Sequence, residues 1–293
     1  MQQTFKLGAH LVRRIGYGAM QLAGAGVMGP PSDPDAARAI LREAVALGVS
    51  HIDTSDYYGP HVTNLLIREA LSPYPDDLLV VTKIGAKRGR DGSWKPALAR
   101  ADLTDAVEDN RRNLGLDVLD IVNLRMTGKE LGPVKGSIAE PLSVLIDLQR
   151  QGLVRNIGLS NVTREQVLEA RGLCDIVCVQ NHYNLAYRED DTLIDELAGA
   201  GIAYVPYFPL GGFQPLQFEA LLRTAQQLSA SPSQVALAWL LHRSPNILVI
   251  PGTGSLAHLR ENLAAQQLSI PEQQLAELNA IGEVGRGCDP GAA

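Results

Sequence analysis

Short apolar runs and amphipathic stretches alternate along this chain. The apolar runs predict strands near residues 14–18, 49–53, 78–83, 118–124, 154–159, 176–181, 202–207 and 246–250. Between them, apolar residues recur at helical spacing near 34–47, 62–71, 102–113, 139–150, 163–171, 190–199, 217–241 and 255–266. Asp33-Pro34 and Ser231-Pro232-Ser233-Gln234 read as helix starts, a capping side chain followed by proline in the first turn. Gly48, Gly115, Gly152 and Gly201 stand where helices should stop. Strands that alternate regularly with helices predict an α/β fold with a parallel sheet, and eight of each predict a closed (β/α)8 TIM barrel. Thr4–Leu7 and Leu11–Arg13, on either side of Gly8, predict an N-terminal β-hairpin able to plug the barrel floor. No Pro/Gly/Ser linker divides the chain, so residues 1–293 read as a single barrel domain, with a loose tail after Glu283.

In such a barrel, chemistry collects at the carboxyl ends of the strands. Asp53, Lys83, Arg125, Ser160-Asn161, Gln180-Asn181, Tyr207 and Gly252-Thr253 all fall there. The first of these segments is the most informative. His51-Ile52-Asp53 ends a strand with an acid, and Tyr58-Gly59 follows five residues later. The next apolar run, Leu78–Thr82, ends in Lys83. Taken singly, an Asp before Thr-Ser is most often a turn or cap, and a strand-ending lysine is most often solvated. In consecutive strand–helix units the three converge on one face, and a clustered acid, phenol and amine is a site signature. Asp53 can balance the lysine. A phenol starts near pKa ~10 and can donate a proton at neutral pH, and a nearby ammonium is expected to lower it.

Composition removes several alternatives. A formal net charge of −6 and the lack of a long basic run argue against nucleic acid as a partner. No stretch of eighteen apolar residues predicts a membrane span, and Met1–Lys6 lacks a signal-peptide core. Three cysteines, Cys174, Cys178 and Cys288, make no disulfide framework and fit a reducing cytoplasm. Gly24-Ala25-Gly26-Val27-Met28-Gly29 matches GxGxxG, but Pro30-Pro31-Ser32 intervenes before any helix, so a flexible loop is the better reading. No CxxC pair, HExxH or EF-hand pattern is present, and no metal site is expected.

The strand-end set resembles the aldo-keto reductase superfamily over nearly the whole chain. The resemblance rests on Ile52-Asp53-Thr54 with Tyr58-Gly59, Val81-Thr82-Lys83, Gly158-Leu159-Ser160-Asn161 and Val179-Gln180-Asn181 with Tyr183. It continues through Gly201-Ile202, Tyr207-Phe208-Pro209-Leu210-Gly211, and Ile250-Pro251-Gly252-Thr253 with Leu259, Glu261 and Asn262. It implies a carbonyl reductase using NADP (as NADPH) on a small-molecule aldehyde. Tyr58 would be the general acid, Lys83 would depress its pKa, and Asp53 would fix Lys83. Ser160, Asn161 and Gln180 would hold the nicotinamide carboxamide, and Tyr207 would stack on the nicotinamide ring. Gly18, Ala19, Met20 and Phe208–Gly211 would complete the cofactor groove. Gly252, Thr253, Gly254 and Ser255 open a helix that would grip the adenosine phosphate, with His258 nearby, and Glu261 and Asn262 would bond the adenine.

This chain departs from the family at two places. Arg125 stands where a histidine usually completes the tetrad, bringing a permanent cation as its fourth member. Arg125 either faces the cleft or turns away to an acid such as Asp120. Gly252 and His258 stand where many members carry Lys and Arg against the 2′-phosphate of NADP. Arg125, with Tyr57–Asn64 and Pro206–Gly212, is most similar to the bacterial pyridoxal reductases, implying reduction of pyridoxal to pyridoxine. The alternatives are a general aldehyde or aldose reductase, and a cofactor-binding regulatory subunit like potassium-channel β subunits. The complete Asp53–Tyr58–Lys83 set and the lack of an N-terminal extension disfavour pure binding. A cytoplasmic monomer is expected.

Overall fold

A computed structural model describes residues 2–128, 132–212 and 216–285. The chain opens with an antiparallel hairpin of β1 (Thr4–Leu7) and β2 (His10–Arg13). The parallel strands β3 (Tyr17–Gly18), β4 (His51–Asp53) and β5 (Leu79–Ile84) follow. A second hairpin, β6 (Ala86–Arg88) with β7 (Trp94–Pro96), interrupts the alternation. The parallel sheet then resumes with β8 (Leu119–Arg125), β9 (Val154–Ser160), β10 (Ile176–Gln180) and β11 (Ala203–Tyr204). The eighth member, segment 246–250, makes only isolated bridges, but these close the ring. On one side Tyr204 donates to the Asn246 carbonyl and accepts from the Leu248 amide; on the other Gly16 donates to the Val249 carbonyl and the Val249 amide to the Arg14 carbonyl, each at 2.9 Å. The buried Arg14 guanidinium spans the same seam, donating to the carbonyls of Ile247, Leu241 and Ser244.

Around the sheet run α1 (Pro34–Ala46), α2 (Val62–Leu71), α3 (Arg100–Leu114), α4 (Ala139–Arg150), α5 (Arg164–Arg171) and α6 (Asp191–Gly199). They are followed by α7 (Glu219–Gln227), α8 (Pro232–Arg243), α9 (Leu256–Ala264) and α10 (Glu272–Gly285). Side chains alternate across each strand. Ile52, Val80, Val122, Ile157 and Val179 face outward under the helices, and Val81, Ile121 and Cys178 face into the barrel. Leu7 and Val12 of the hairpin pack on that inner set, so the hairpin closes the floor as expected.

The barrel and its eight strand positions follow the sequence, and four details differ. The single helix expected at 217–241 is two. Pro232 cannot continue a helix from before it, and Ser231 caps a new one through the amide of Gln234. The α10 helix was not foreseen, and neither was the β6–β7 hairpin. The loop 24–29 is also tied down rather than loose. Gly29 donates to the Gly59 carbonyl at 2.9 Å, Gly59 donates to Val27, and Arg88 donates to the Gly26 carbonyl. The tail after Glu283 lies largely outside the described residues, as does Cys288. Among the described residues, no helix is long and apolar enough to cross a membrane.

Candidate active site

Asp53 ends β4, Lys83 lies one residue from the end of β5, and Gln180 ends β10. The inward pleat of each strand carries these three to the upper barrel interior, where each is under 5 % exposed. Lys83 Nζ donates to Asp53 Oδ1 and, at 3.0 Å, to the Thr54 carbonyl. Gln180 Nε2 donates to the other carboxylate oxygen at 2.8 Å. A buried ion pair is tolerated when extra hydrogen bonds satisfy its remaining atoms, as happens here. The Gln180 side-chain oxygen Oε1, also buried, has no partner among the described residues.

Tyr58 reaches the same cavity from the loop after β4. Its ring lies 5.3 Å from the Lys83 ammonium and edge-on to Tyr57, with centroids 5.4 Å apart. Trp94 of β7 meets both rings edge-on, and its own face carries the Arg88 guanidinium at 3.9 Å. Burial raises the pKa of the Tyr58 phenol well above its ordinary value; Asp53 raises it further and Arg125 lowers it. The Lys83 ammonium, held by Asp53 and Thr54, stands 5.3 Å from the Tyr58 ring, at the place from which the sequence expects a cation to lower the phenol.

Arg125 faces the cleft. It donates to Ser160 Oγ at 3.1 Å and lies over the Tyr207 ring at 5.1 Å. Asp120, the alternative partner, pairs with Arg155 instead. Tyr207 donates to Asn161 Oδ1 at 2.8 Å, and the Asn161 amide donates to the Met126 and Gly132 carbonyls. The His182 ring stacks on Tyr207 and on Tyr187, within 17° of parallel in each case. Burial lowers the His182 pKa to about 4, which keeps it an uncharged aromatic surface at neutral pH. Asn161 and Phe208 hold left-handed backbone, φ 57° and 55°, which is uncommon away from glycine and clusters at functional sites.

These groups surround one cavity of about 400 Å³. Of the residues singled out from the sequence, it is lined by Gly18, Met20, Asp53, Tyr58, Lys83, Arg125, Asn161, Gln180, Tyr207, Phe208, Pro209, Leu210 and Gly252. Gly18 and Gly252 let the first and last barrel segments meet. A Cβ on Gly18 would come within 2.4 Å of the Ile250 carbonyl. The others stand outside the lining. Ala19 is fully buried beneath it, and Ser160 is covered by Arg125. Gly211 lies on the loop beyond Leu210. Thr253, Gly254, Ser255 and His258 lie at the amino end of α9. Ser255 caps that helix, accepting from the His258 amide, and a Cβ on Gly254 would meet nothing within 4 Å. Glu261 is engaged by the Ser231 hydroxyl, and Asn262 is buried beside it.

Sequence reasoning named Tyr57 only as part of the motif Tyr57–Asn64 and overlooked Trp94, Ser93, Gln21, Thr127 and Gly128, all of which line the cavity. Trp94 carried a usable signal, a lone large aromatic in an otherwise polar, glycine-containing stretch. The others carried none.

Residues 14–283 match the Aldo/keto reductase family. The chain is 64% identical, over 95% of its length and 98% of the relative's, to the pyridoxine 4-dehydrogenase of Escherichia coli strain K12. Among solved structures it resembles the thermostable aldo-keto reductase Tm1743 in complex with the inhibitor epalrestat, at 30% identity and a TM-score of 0.80, covering 96% of this chain and all of that one. It also superposes on a Klebsiella pneumoniae aldo/keto reductase in complex with NADP and acetate, at 22% identity and a TM-score of 0.77, covering 96% of each chain. The barrel, the strand-end residues and these matches agree: the chain belongs to the aldo/keto reductase family.

Proposed function

We propose that this enzyme reduces an aldehyde to an alcohol with NADPH, and that pyridoxal, giving pyridoxine, is its substrate. The observation that carries the chemistry is a protonated, buried phenol facing a cavity beside a paired lysine and aspartate. The substrate comes from the 64% identical pyridoxine 4-dehydrogenase. A purely regulatory subunit would not need these three side chains in one place.

The residues present fit a nicotinamide cofactor. The unpartnered Gln180 side-chain oxygen Oε1 is a buried acceptor for the carboxamide N–H, and Asn161 flanks it. Ser160 would join them once Arg125 releases it. Tyr207, backed by His182, offers a flat aromatic surface for the ring. Gly18, Ala19, Met20 and Phe208–Gly211 would border the rest of the molecule. Thr253, Gly254, Ser255 and His258 would meet the adenosine phosphate at the positive end of α9, and Glu261 and Asn262 the adenine. When bound, the cofactor supplies the hydride that adds to the carbonyl carbon.

Tyr58 donates its proton to the carbonyl oxygen. Its raised pKa keeps that proton in place at neutral pH. Arg125 lies near enough to stabilise the phenolate left behind and to pair with an anionic hydroxyl next to the carbonyl, as on pyridoxal. Asp53, itself held by Gln180, and the Thr54 carbonyl hold Lys83 rigid beside the ring. Tyr57 and Trp94 wall the substrate space and exclude water. Tyr58→Phe removes one hydroxyl, so turnover should fall by roughly 10²–10⁴-fold while NADPH still binds. A variant keeping more than about a tenth of wild-type turnover refutes Tyr58 as the acid.

A further inference from the structure

Lys83 is fixed on a strand, but Tyr58 sits on a loop five residues past the end of one. The phenol is useful only if that loop is held in register with the barrel. Hydrogen bonds at the start of the loop are not enough. Thr54 donates to the Val81 carbonyl at 2.8 Å, and Ser55 to the Lys83 carbonyl at 3.3 Å, but both lie ahead of the turn that carries Tyr58.

Past the turn, Gly59 is tied to the 24–29 loop by backbone bonds with Val27 and Gly29, and polar side chains outside the catalytic cavity hold the rest of the loop. Thr82, next to Lys83, points outward and donates to Asn110 Oδ1 on α3. The same oxygen accepts from Asn64 Nδ2 on α2 at 2.8 Å, and Asn110 Nδ2 is anchored on the Ala106 carbonyl. Asn64 also accepts from the Thr54 hydroxyl at 2.8 Å and donates to the Asp56 carboxylate at 3.3 Å. Asp56 takes further bonds from Asn113 on α3, at 2.7 Å, and from the His61 ring, at 2.6 Å. The Asp56 carbonyl accepts the His61 amide at 2.6 Å, which closes the turn around Tyr57 and Tyr58. Thr54, Asn64, Thr82 and Asn110 are fully buried.

We infer that Asn110, acting through Asn64 and Asp56, is a positioning residue that sets Tyr58 against Lys83 by tying the tyrosine loop to the lysine strand. The chain of bonds is continuous from Thr82 to Asp56, and it crosses two helices that belong to neither segment. In a low-dielectric interior a fully satisfied network is rigid, and a broken one leaves unpaired polar atoms that the loop must move to satisfy. A displacement of about 1 Å at a reacting group can cost on the order of 10²-fold in rate.

The inference rests on Tyr58 as the proton donor. The test compares wild type, Asn110→Leu, Asn110→Asp, Thr82→Val and Tyr58→Phe. It measures kcat, aldehyde KM, NADPH dissociation constant by cofactor fluorescence, and melting temperature. Asn110→Leu removes the shared acceptor. Its kcat should fall by roughly 10–100-fold at temperatures where it is folded, with NADPH affinity retained. Asn110→Asp keeps the acceptor for Thr82 and Asn64 but loses the donor to the Ala106 carbonyl, so it should recover part of the rate that Asn110→Leu loses. Should Asn110→Leu fail to fold, Thr82→Val carries the test, since it deletes only the strand's donor and should still lower kcat. A folded Asn110→Leu or Thr82→Val with a lower melting temperature but wild-type kcat overturns the inference. If Tyr58→Phe itself keeps wild-type turnover, it is the proton-donor reading that fails. If Tyr58→Phe is inactive and the network variants are not, only the positioning inference fails.

Discussion

At the catalytic end of the cleft, the charged side chains are engaged by other parts of the fold. Asp53 and Lys83 hold each other, Gln180 holds the free carboxylate oxygen, and Arg125 rests between Ser160 and Tyr207. At the α9 end, Gly254 and His258 are exposed, and the hydroxyls of Thr253 and Ser255 accept from the amides of Ser255 and His258. Folding energy sets the first region, with its geometry in place before any ligand arrives. The second offers backbone amides and a helix dipole, a surface that the proposed cofactor would complete. Substitutions at the first should therefore damage the fold and the chemical step, and those at the second should alter binding by small amounts.

Lys83→Met is expected to have the largest effect on stability. It leaves the Asp53 carboxylate buried with its main partner gone, a change that costs about 3–5 kcal/mol for buried pairs. Chemical denaturation reads this directly. A loss below about 1 kcal/mol, the value of a surface pair, would mean the pair is not part of the folded framework.

An intermediate effect is expected for Arg125→Met, assayed on pyridoxal and on an aromatic aldehyde lacking the neighbouring hydroxyl. A hydrogen bond to a charged group contributes about 1.5–3 kcal/mol, so the pyridoxal rate should fall about 10–150-fold further than the other. Equal losses on both substrates would leave Arg125 acting on Tyr58 alone.

Ser255→Ala should have the smallest effect, weakening NADPH by the 0.3–1 kcal/mol or so of an exposed helix-terminus contact. Titration with both cofactors sharpens the contrast. NADPH should bind more tightly than NADH, and equal dissociation constants would show that this end does not read the 2′-phosphate.

The same difference explains what the sequence made legible. Strand-end residues stood out because each apolar run stopped at a polar residue, and the pleat does the rest. Barrel closure was foreseeable from the eighth run, although segment 246–250 pairs only through isolated bridges. The β6–β7 hairpin was not, because its charged residues show no alternation, and Trp94 went unnoticed with it. The α10 helix carries Leu275, Leu278 and Ile281 at helical spacing behind Pro271 and was within reach. The bonds that Lys83 makes to Asp53 and Thr54, and the placing of Arg125 over Ser160, depend on distances that no residue pattern encodes. The Thr82–Asn110–Asn64–Asp56 chain joins residues up to 46 positions apart, and asparagines in helices read simply as polar faces.

The central claim is that the engaged end of this cleft protonates and reduces an aldehyde bearing a neighbouring hydroxyl. The most direct measurement is wild-type enzyme with NADPH and pyridoxal, following cofactor absorbance and product together. The account predicts that one pyridoxine forms for each NADPH oxidised. Turnover of simple aldehydes with none of pyridoxal would contradict the substrate assignment, and no NADPH oxidation with any aldehyde would contradict the reductase itself.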